Sequence, residues 1–284
     1  MTGGADEPTS DEELPCRSAM RKLERAGQHL QALGASVEAF RQRETYRIEL
    51  VGNLADEYAR YVEADYVFSE IEAFPDEWSA IASDFLNNLR SALDHAVWEL
   101  ATSNVGGEPP NPGAVCFPIC ATRAEFDRVS KRAIASLSPR HAERVRAVQP
   151  FSTPPPDDLT IDHHPLLLLH HLNRIDKHRT LHIVRRWLAA FDLSFDPEPP
   201  ELSVCYSAID DLVDQSVLAS ARFLRPPPEI AAEGLPTVRT IAHQEVIAGT
   251  SHTPEVPMGG AFSAMYRSAV NAVFILEFGV QQES

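Results

Sequence analysis

The strongest structural signal in the sequence is a long amphipathic helix predicted between Pro75 and about Thr102. Apolar residues recur every three or four positions, which places them on one side of an α-helix. These residues are Phe85, Leu86, Leu89, Leu93, Ala96, Val97 and Leu100. An acidic start after Pro75 and a Gly- and Pro-rich break at 106–112 bound the helix. The chain must therefore supply a hydrophobic core against this face.

The opposite face of this predicted helix is polar, with an unusual choice of residues. It carries Asn87, Asn88, Arg90, Ser91, Asp94 and His95. Solvated helix faces are usually built from Lys and Glu, which are good helix formers, whereas Asn, Ser, Asp and His are poor ones. Two interpretations follow: a buried polar network that joins helices, or a binding site.

A second polar region lies in a predicted helix from Asp162 to His182. Six of the eleven histidines fall between residues 163 and 182. At helical spacing one edge of this helix collects basic or metal-ligating side chains. They are His171, Arg174, His178, His182 and Arg185. Neutral histidines bonded to the backbone or to Asp176 would explain this edge without a ligand. We predict that the two helices face each other, so that both polar regions meet.

Two functional interpretations of the second region stay open. His178 and His182 have the i, i+4 spacing that suits a shared metal, and His95 is a candidate third ligand. Such a set is similar to the DinB-like metal proteins, which implies a divalent metal with open coordination positions. In the other interpretation, five basic side chains against Asp176 form a local positive region that suits a phosphate-bearing ligand or RNA. They are Arg174, Lys177, Arg179, Arg185 and Arg186.

Two motifs carry a resemblance to known families. The stretch Leu89-Arg90-Ser91-Ala92-Leu93-Asp94-His95, with Asn173-Arg174-Ile175-Asp176-Lys177-His178-Arg179, looks like a large family of bacterial proteins without an assigned function. The R-x4-H spacing of Arg90 and His95 resembles the HEPN superfamily. That resemblance implies a helical fold whose ribonuclease members place an arginine and a histidine in a cleft, usually across a homodimer. The chain departs from active members in having Ser91 directly after the arginine.

The HEPN resemblance implies metal-independent cleavage of RNA or a nucleotide, with no cofactor. His95 would serve as general acid or base, Arg90 would stabilise the phosphorane charge, and Asp94 completes the candidate catalytic set. The candidate ligand-binding residues are Asn87, Asn173, Arg174, Asp176, Lys177, His178 and Arg179. A metal-dependent hydrolase or transferase using His95, His178 and His182, and a non-catalytic structural or dimerisation module, remain alternatives.

Charge and composition exclude some classes of protein. The 284-residue chain has a net charge of −16, which argues against sequence-independent coating of nucleic acid or an anionic membrane. The longest apolar run, Pro165–Leu169, is too short to span a bilayer. An N-terminus without a basic start or apolar stretch predicts no secretory signal, and the four scattered cysteines predict reduced thiols. The expected location is the cytoplasm.

The remaining pattern predicts a single α+β domain over residues 14–284, preceded by a disordered acidic tail over 1–13. We expect a HEPN-like bundle of about five helices with an inserted small antiparallel sheet. The first helix is predicted at Ala19–Glu44 and the third, with a capping box at Thr122 and Glu125, is expected to continue past Pro139 to about Val148. Strands are predicted near 45–71, as a hairpin turning at Asn53, and near 183–248; a last apolar helix follows at Ala261–Phe278.

Overall fold

The computed structural model describes residues 16–157, 159–176, 184–194, 198–208, 211–225, 237–247, 254 and 256–279. Within these residues the chain is a mixed α+β protein with six α-helices and two antiparallel sheets. The α+β class predicted from the sequence is confirmed. The predicted acidic tail lies outside the described residues. No helix in the described ranges is long and apolar enough to cross a membrane.

The helices and strands follow each other along the chain in the order predicted from periodicity. The helices are α1 (Arg17–Arg41), α2 (Glu77–Val105), α3 (Arg123–Ala133), α4 (Pro139–Ala147), α5 (Pro165–Asp176) and α6 (Met258–Phe278). The strands are β1 (Tyr46–Gly52), β2 (Tyr61–Glu70), β3 (Val184–Ser194), β4 (Ser203–Tyr206), β5 (Asp211–Leu212), β6 (Val217–Leu224), β7 (Thr237–Ile247) and β8 (Val256–Pro257).

The chain divides into two compact units. One consists of Met1–Leu30, Ala82–Arg179 and Phe262–Ser284, and the described part of it is helical. The other consists of Gln31–Ile81 and Thr180–Ala261 and contains all eight described strands. We call them the helical unit and the sheet unit. Helices α1, α2 and α6 contribute residues to both.

The core of the helical unit includes the apolar face of α2. All seven apolar residues predicted to face the core are buried, and so are four consecutive leucines of α5, Leu166–Leu169. Phe85 of α2 lies 5.2 Å from Phe262 of α6, measured between ring centroids. Burial of a side chain of this size stabilises a fold by about 1.5–3 kcal/mol, so this face anchors α2 and thereby orients its polar face.

The sheet unit consists of two four-stranded antiparallel sheets, with strand orders β1-β2-β6-β4 and β5-β3-β7-β8. The predicted hairpin is confirmed as β1 and β2, and the chain turns after Asn53. Residues from both sheets form common apolar clusters. Tyr66 of β2 packs with Leu193 of β3, and Phe68 of β2 packs with Leu212 of β5.

Two helices differ from the sequence prediction. The predicted third helix is two helices: α3 ends at Ala133, and α4 begins at Pro139 behind Ser138, whose side chain accepts a hydrogen bond from the His141 N–H. A proline is well accommodated in the first turn of a helix, where its missing N–H is not needed. The predicted fourth helix begins with a 3₁₀ turn at Ile161–His163, and α5 starts only at Pro165. Residues 177–183, where that helix was predicted to end, lie outside the described residues.

Candidate functional site

The two predicted polar regions meet where α2 packs beside α5 in the helical unit. Asn87 donates from Nδ2 to Asp176 at 3.1 Å and accepts a hydrogen bond from Asn173 at 2.9 Å. Ser83 also donates to the Asp176 carboxylate. Asn173 is buried. Three of the predicted ligand-binding residues therefore bond to one another across the helix pair, as a buried polar network does.

Arg90 and Asp94 form a second network, which holds a loop. Arg90 donates from Nε and Nη2 to the two carboxylate oxygens of Asp94, at 3.1 and 2.7 Å, and from Nη2 to the Phe117 carbonyl at 2.7 Å. Asp94 in turn accepts from the Phe117 N–H at 2.9 Å. Arg90 and Asp94 together therefore bond to the backbone carbonyl and the backbone N–H of Phe117. Nη1 of Arg90 is buried and has no hydrogen-bond partner among the described residues.

The loop that Arg90 and Asp94 hold is fixed at further points along 116–121. The fully buried Gln149 donates to the Pro118 carbonyl at 2.9 Å and accepts from the Cys120 N–H at 3.1 Å. The Glu125 carboxylate accepts from the Ala121 N–H. Since side chains from other elements satisfy these backbone groups, the segment keeps a fixed course although it belongs to no helix or sheet.

His95 lies on a different side of α2, in an open pocket. Its Nδ1 is hydrogen bonded to Ser18 Oγ of α1 at 2.9 Å. The pocket has a volume of about 580 Å³ and is lined by Ser18, Asp94, His95, Trp98, Glu99 and Val115. Trp98 is 36% exposed. Asp94 therefore contributes to the pocket wall while its carboxylate also binds Arg90, whereas Arg90 itself does not line the pocket.

Glu99, which also lines this pocket, bonds to the start of α1. Its Oε1 accepts from the Ser18 N–H at 2.9 Å, in the first turn of α1, where a carboxylate is favoured by the helix dipole. Oε2 of Glu99 and Oε1 of Glu277 are buried without a hydrogen-bond partner among the described residues. Burial raises the pKa of Glu277, and the charge of Glu99 raises it further.

The neighbouring thiol is unreactive. Burial raises the pKa of Cys16 to about 12, with a smaller contribution from the charges of Glu277 and Glu99. Because the thiolate is the nucleophilic form of cysteine, Cys16 stays protonated and inert at neutral pH. Cys16 does not line the pocket, whereas the hydrogen-bonded His95 and Ser18 do.

Part of the predicted second region lies outside the described residues. This applies to Lys177, His178, Arg179 and His182, so the proposed metal set of His95, His178 and His182 stays a prediction. Arg174 is exposed on α5. Among the residues that the structure describes, no three His, Cys, Asp or Glu side chains are grouped as a metal site.

Arg186 was assigned wrongly to the predicted anion-binding region. It lies on β3 in the sheet unit, with its side chain only 1% exposed, so no solvent-borne anion reaches it. Its guanidinium carbon lies within 5.6 Å of four aromatic ring centroids. The rings belong to Phe40, Tyr46, Phe68 and Phe74. Counting charges along the sequence could not detect this, because the four rings come from a distant part of the chain.

Sequence reasoning missed four residues of the His95 pocket. Trp98 and Glu99 follow His95 by three and four positions on α2, so the helical spacing that identified the polar face would have found them. Ser18 and Val115 come from elements far away in the sequence, and no local signal predicts that they reach His95.

The fold and the site define a mixed α+β protein whose helical unit carries an open pocket with a hydrogen-bonded serine and histidine. No protein-family model, curated protein or solved structure matches this chain.

Proposed function

We propose that the His95 pocket binds a nucleotide or a segment of single-stranded RNA and that His95 catalyses metal-independent phosphodiester cleavage. The observation that carries this proposal is the hydrogen bond between His95 Nδ1 and Ser18 Oγ in an open pocket. It fixes the ring orientation and leaves the second ring nitrogen for a ligand, which is what a general acid or base requires.

Trp98 and the Asp94 carboxylate suit the nucleoside part of such a ligand. An exposed indole provides a flat surface on which a base stacks, an interaction worth about 1–3 kcal/mol per base. The Asp94 carboxylate is partly exposed while it binds Arg90, and its oxygens are acceptors for ribose hydroxyls and for the amino groups of bases. In this arrangement His95 takes the proton of the ribose 2′-hydroxyl while its oxygen attacks the adjacent phosphorus. The bond between phosphorus and the 5′-oxygen breaks, and the leaving oxygen receives a proton from the protonated His95 or from water.

Arg90 takes a positioning role in this proposal. It acts through the Asp94 carboxylate and the Phe117 carbonyl, which fixes the wall of the pocket beside His95.

A homodimer, which the HEPN resemblance implies, would contain two such pockets. Light scattering of the purified protein measures its oligomeric state.

The test is RNA cleavage in the presence of EDTA. We expect cleavage of a short oligoribonucleotide by the wild type and a loss of about 10²–10⁴-fold for His95→Ala, the usual contribution of a general acid or base. His163→Ala is the matched control, because His163 also bonds a hydroxyl through Nδ1, that of Thr160, but lies outside the pocket. Cleavage that EDTA abolishes, or that His95→Ala leaves unchanged, would contradict the proposal.

A second candidate is a non-catalytic module whose polar residues stabilise the helical unit. The observation that favours it is that Asn87, Asn173 and Asp176 bond to one another, and that Arg90 and Asp94 bond to the loop. It predicts that Arg90→Ala costs about 2–3 kcal/mol of unfolding free energy, because the Asp94 charge and the Phe117 carbonyl lose their partner. Arg123→Ala, at an exposed pair with Asp127, is the control and should cost under about 0.5 kcal/mol.

A further inference from the structure

A second pocket lies on the other side of the segment that borders the His95 pocket. It has a volume of about 360 Å³ and is lined by Ala114, Cys116, Arg128, Val129, Arg132 and Ala133. Val115 lines the His95 pocket, whereas its neighbours Ala114 and Cys116 line this one. Ala114 ends a 3₁₀ turn, Pro112–Ala114, and Val115 after it has extended backbone angles, so the side chains of Val115 and Cys116 point to opposite sides. The two pockets therefore share residues 114–116 as a wall.

The second pocket is positively charged. Arg128 and Arg132 are one turn apart on α3 and both exposed. Neither has an ion-pair or hydrogen-bond partner within the described part of the chain. The nearest acids on the helix are engaged elsewhere: Glu125 accepts from the Ala121 N–H, and Asp127 lies 3.9 Å from Arg123. Arg128 and Arg132 therefore give this pocket a local positive charge, although the chain as a whole has a net charge of −16.

Guanidinium pairs match the geometry of phosphate. The planar donors of arginine bind phosphate oxygens in pairs, and two arginines one turn apart supply donors from two directions. The thiol in this pocket adds no competing chemistry, because burial and the charge of Asp94 raise the pKa of Cys116 and keep it protonated.

We propose that Arg128 and Arg132 bind a phosphate group, and that this pocket holds the phosphate next to the nucleoside in the His95 pocket. The ligand is then a phosphate-bearing nucleotide or a single strand of RNA that crosses the wall at Val115. This inference rests on the proposed function for the position of the nucleoside, but the phosphate site itself depends only on α3 and residues 114–116.

The experiment measures binding to the full chain by calorimetry with three probes: uridine, inorganic phosphate and a uridine trinucleotide. The variant is the double substitution Arg128→Gln and Arg132→Gln. We expect it to weaken trinucleotide and phosphate binding by about tenfold or more, since charge-assisted hydrogen bonds are lost, and to leave uridine binding unchanged. The salt dependence of trinucleotide binding should also become shallower.

Lys131→Gln is the matched control. Like Arg132, Lys131 lies in the last turn of α3, where a positive charge interacts favourably with the helix dipole. Its substitution removes one positive charge from this turn, but Lys131 does not line the pocket. We expect less than a threefold effect. Equal weakening by Lys131→Gln would show a general effect of charge and overturn the inference, as would unchanged affinity in the double variant or no phosphate binding by the wild type.

The outcomes for the two proposals are separable. If uridine binds and His95→Ala abolishes cleavage while the arginine variant changes nothing, only the phosphate site is wrong. If phosphate binding depends on the two arginines while His95→Ala leaves cleavage unchanged, only the function proposed for His95 is wrong.

Discussion

The buried Arg186 guanidinium carbon lies within 5.6 Å of four aromatic ring centroids, and the guanidinium also pairs with Glu70. Glu70 Oε1 lies 3.5 Å from Nη1, and the Glu72 carbonyl accepts from Nη2 at 3.2 Å. Attraction between a desolvated cation and a ring face is worth about 2 kcal/mol or more, compared with about 0.5–1 kcal/mol at an exposed site. Arg186 therefore stabilises the sheet unit much more than a surface arginine would.

We expect Arg186→Ala to lower the unfolding free energy by about 3 kcal/mol, through the lost ring contacts and the cavity left behind. Arg222→Ala is the matched control: Arg222 also contacts a ring, that of Tyr61, and pairs with Glu63, but it is 53% exposed. Its loss should cost about 1 kcal/mol or less. Denaturant titration measures both, and similar values for the two would contradict the assignment.

At the scale of single elements, His164 determines where α5 begins. Its Nδ1 accepts from the Leu166 N–H at 3.2 Å, as a capping side chain does, and its carbonyl accepts the Leu168 N–H. Nε2 is bonded to Thr153 Oγ1. A proton on Nδ1 would remove the cap. Accordingly, burial lowers the pKa of His164 to about 4.

This pKa predicts a specific pH dependence of stability. The folded pKa lies below the ordinary value of 6.5, so the unfolded state takes up the proton first, and stability falls as the pH drops from 6.5 towards 4. Between pH 6.5 and pH 4 the free energy of unfolding should fall by about 3 kcal/mol through this histidine. His164→Asn keeps a capping group and removes the titration, so it should lose less stability than the wild type between pH 7 and pH 5. His163→Asn should behave like the wild type; a shared slope for all three would refute the prediction.

The end of α6 requires glycine for two reasons. Gly279 has φ of +88°, and a Cβ there would lie 2.6 Å from Arg144 Nη2. Arg144 donates to the Leu276 and Glu277 carbonyls, which are among the last in the helix. Gly106 also has a positive φ, of +71°, but open space around it. We expect Gly279→Ala to cost about 2 kcal/mol or more and Gly106→Ala about 1 kcal/mol, as measured by thermal unfolding.

Periodicity predicted most elements because the signal is local. The spacing of leucines on α2 and the capping residues Thr122 and Glu125 of α3 lie within a few positions of one another. The signal for a separate α4 was also present, in Ser138 followed by Pro139. Strand partners are a different matter: β2 pairs with β6, about 155 residues away in sequence, and alternation of side chains does not specify which strand lies beside which.

At the scale of the whole molecule, the net charge of −16 opposes folding through repulsion between like charges. We expect added sodium chloride to raise the melting temperature at pH 7, because it screens this repulsion. The effect should shrink near pH 5, close to the isoelectric point of about 5.1. Calorimetry at two salt concentrations and both pH values tests this; a salt effect of equal size at both would contradict it.

The sequence predicted the site only in part, because residues that contact each other there are far apart along the chain. The polar face of α2 identified the residues of the two networks and His95, but the sequence did not show which of them bond to one another. Arg90 and His95 share a motif, yet their side chains contact different elements, Phe117 and Ser18. The spacing of a motif specifies where its residues lie on a helix. The residues that their side chains contact depend on the remainder of the fold.

The segment 116–121 is anchored through its main chain, by side chains that belong to other elements. Phe117, Ile119 and Cys120 of this segment are also buried in the core, whereas Val115 and Cys116 are only partly buried. Val115 and Cys116 face two different pockets, so a single substitution at either position would reshape one pocket and leave the other intact. For protein engineering, and for divergence between relatives, positions 115 and 116 are therefore places where ligand preference can change stepwise with a smaller loss of stability than at the buried positions 117, 119 and 120.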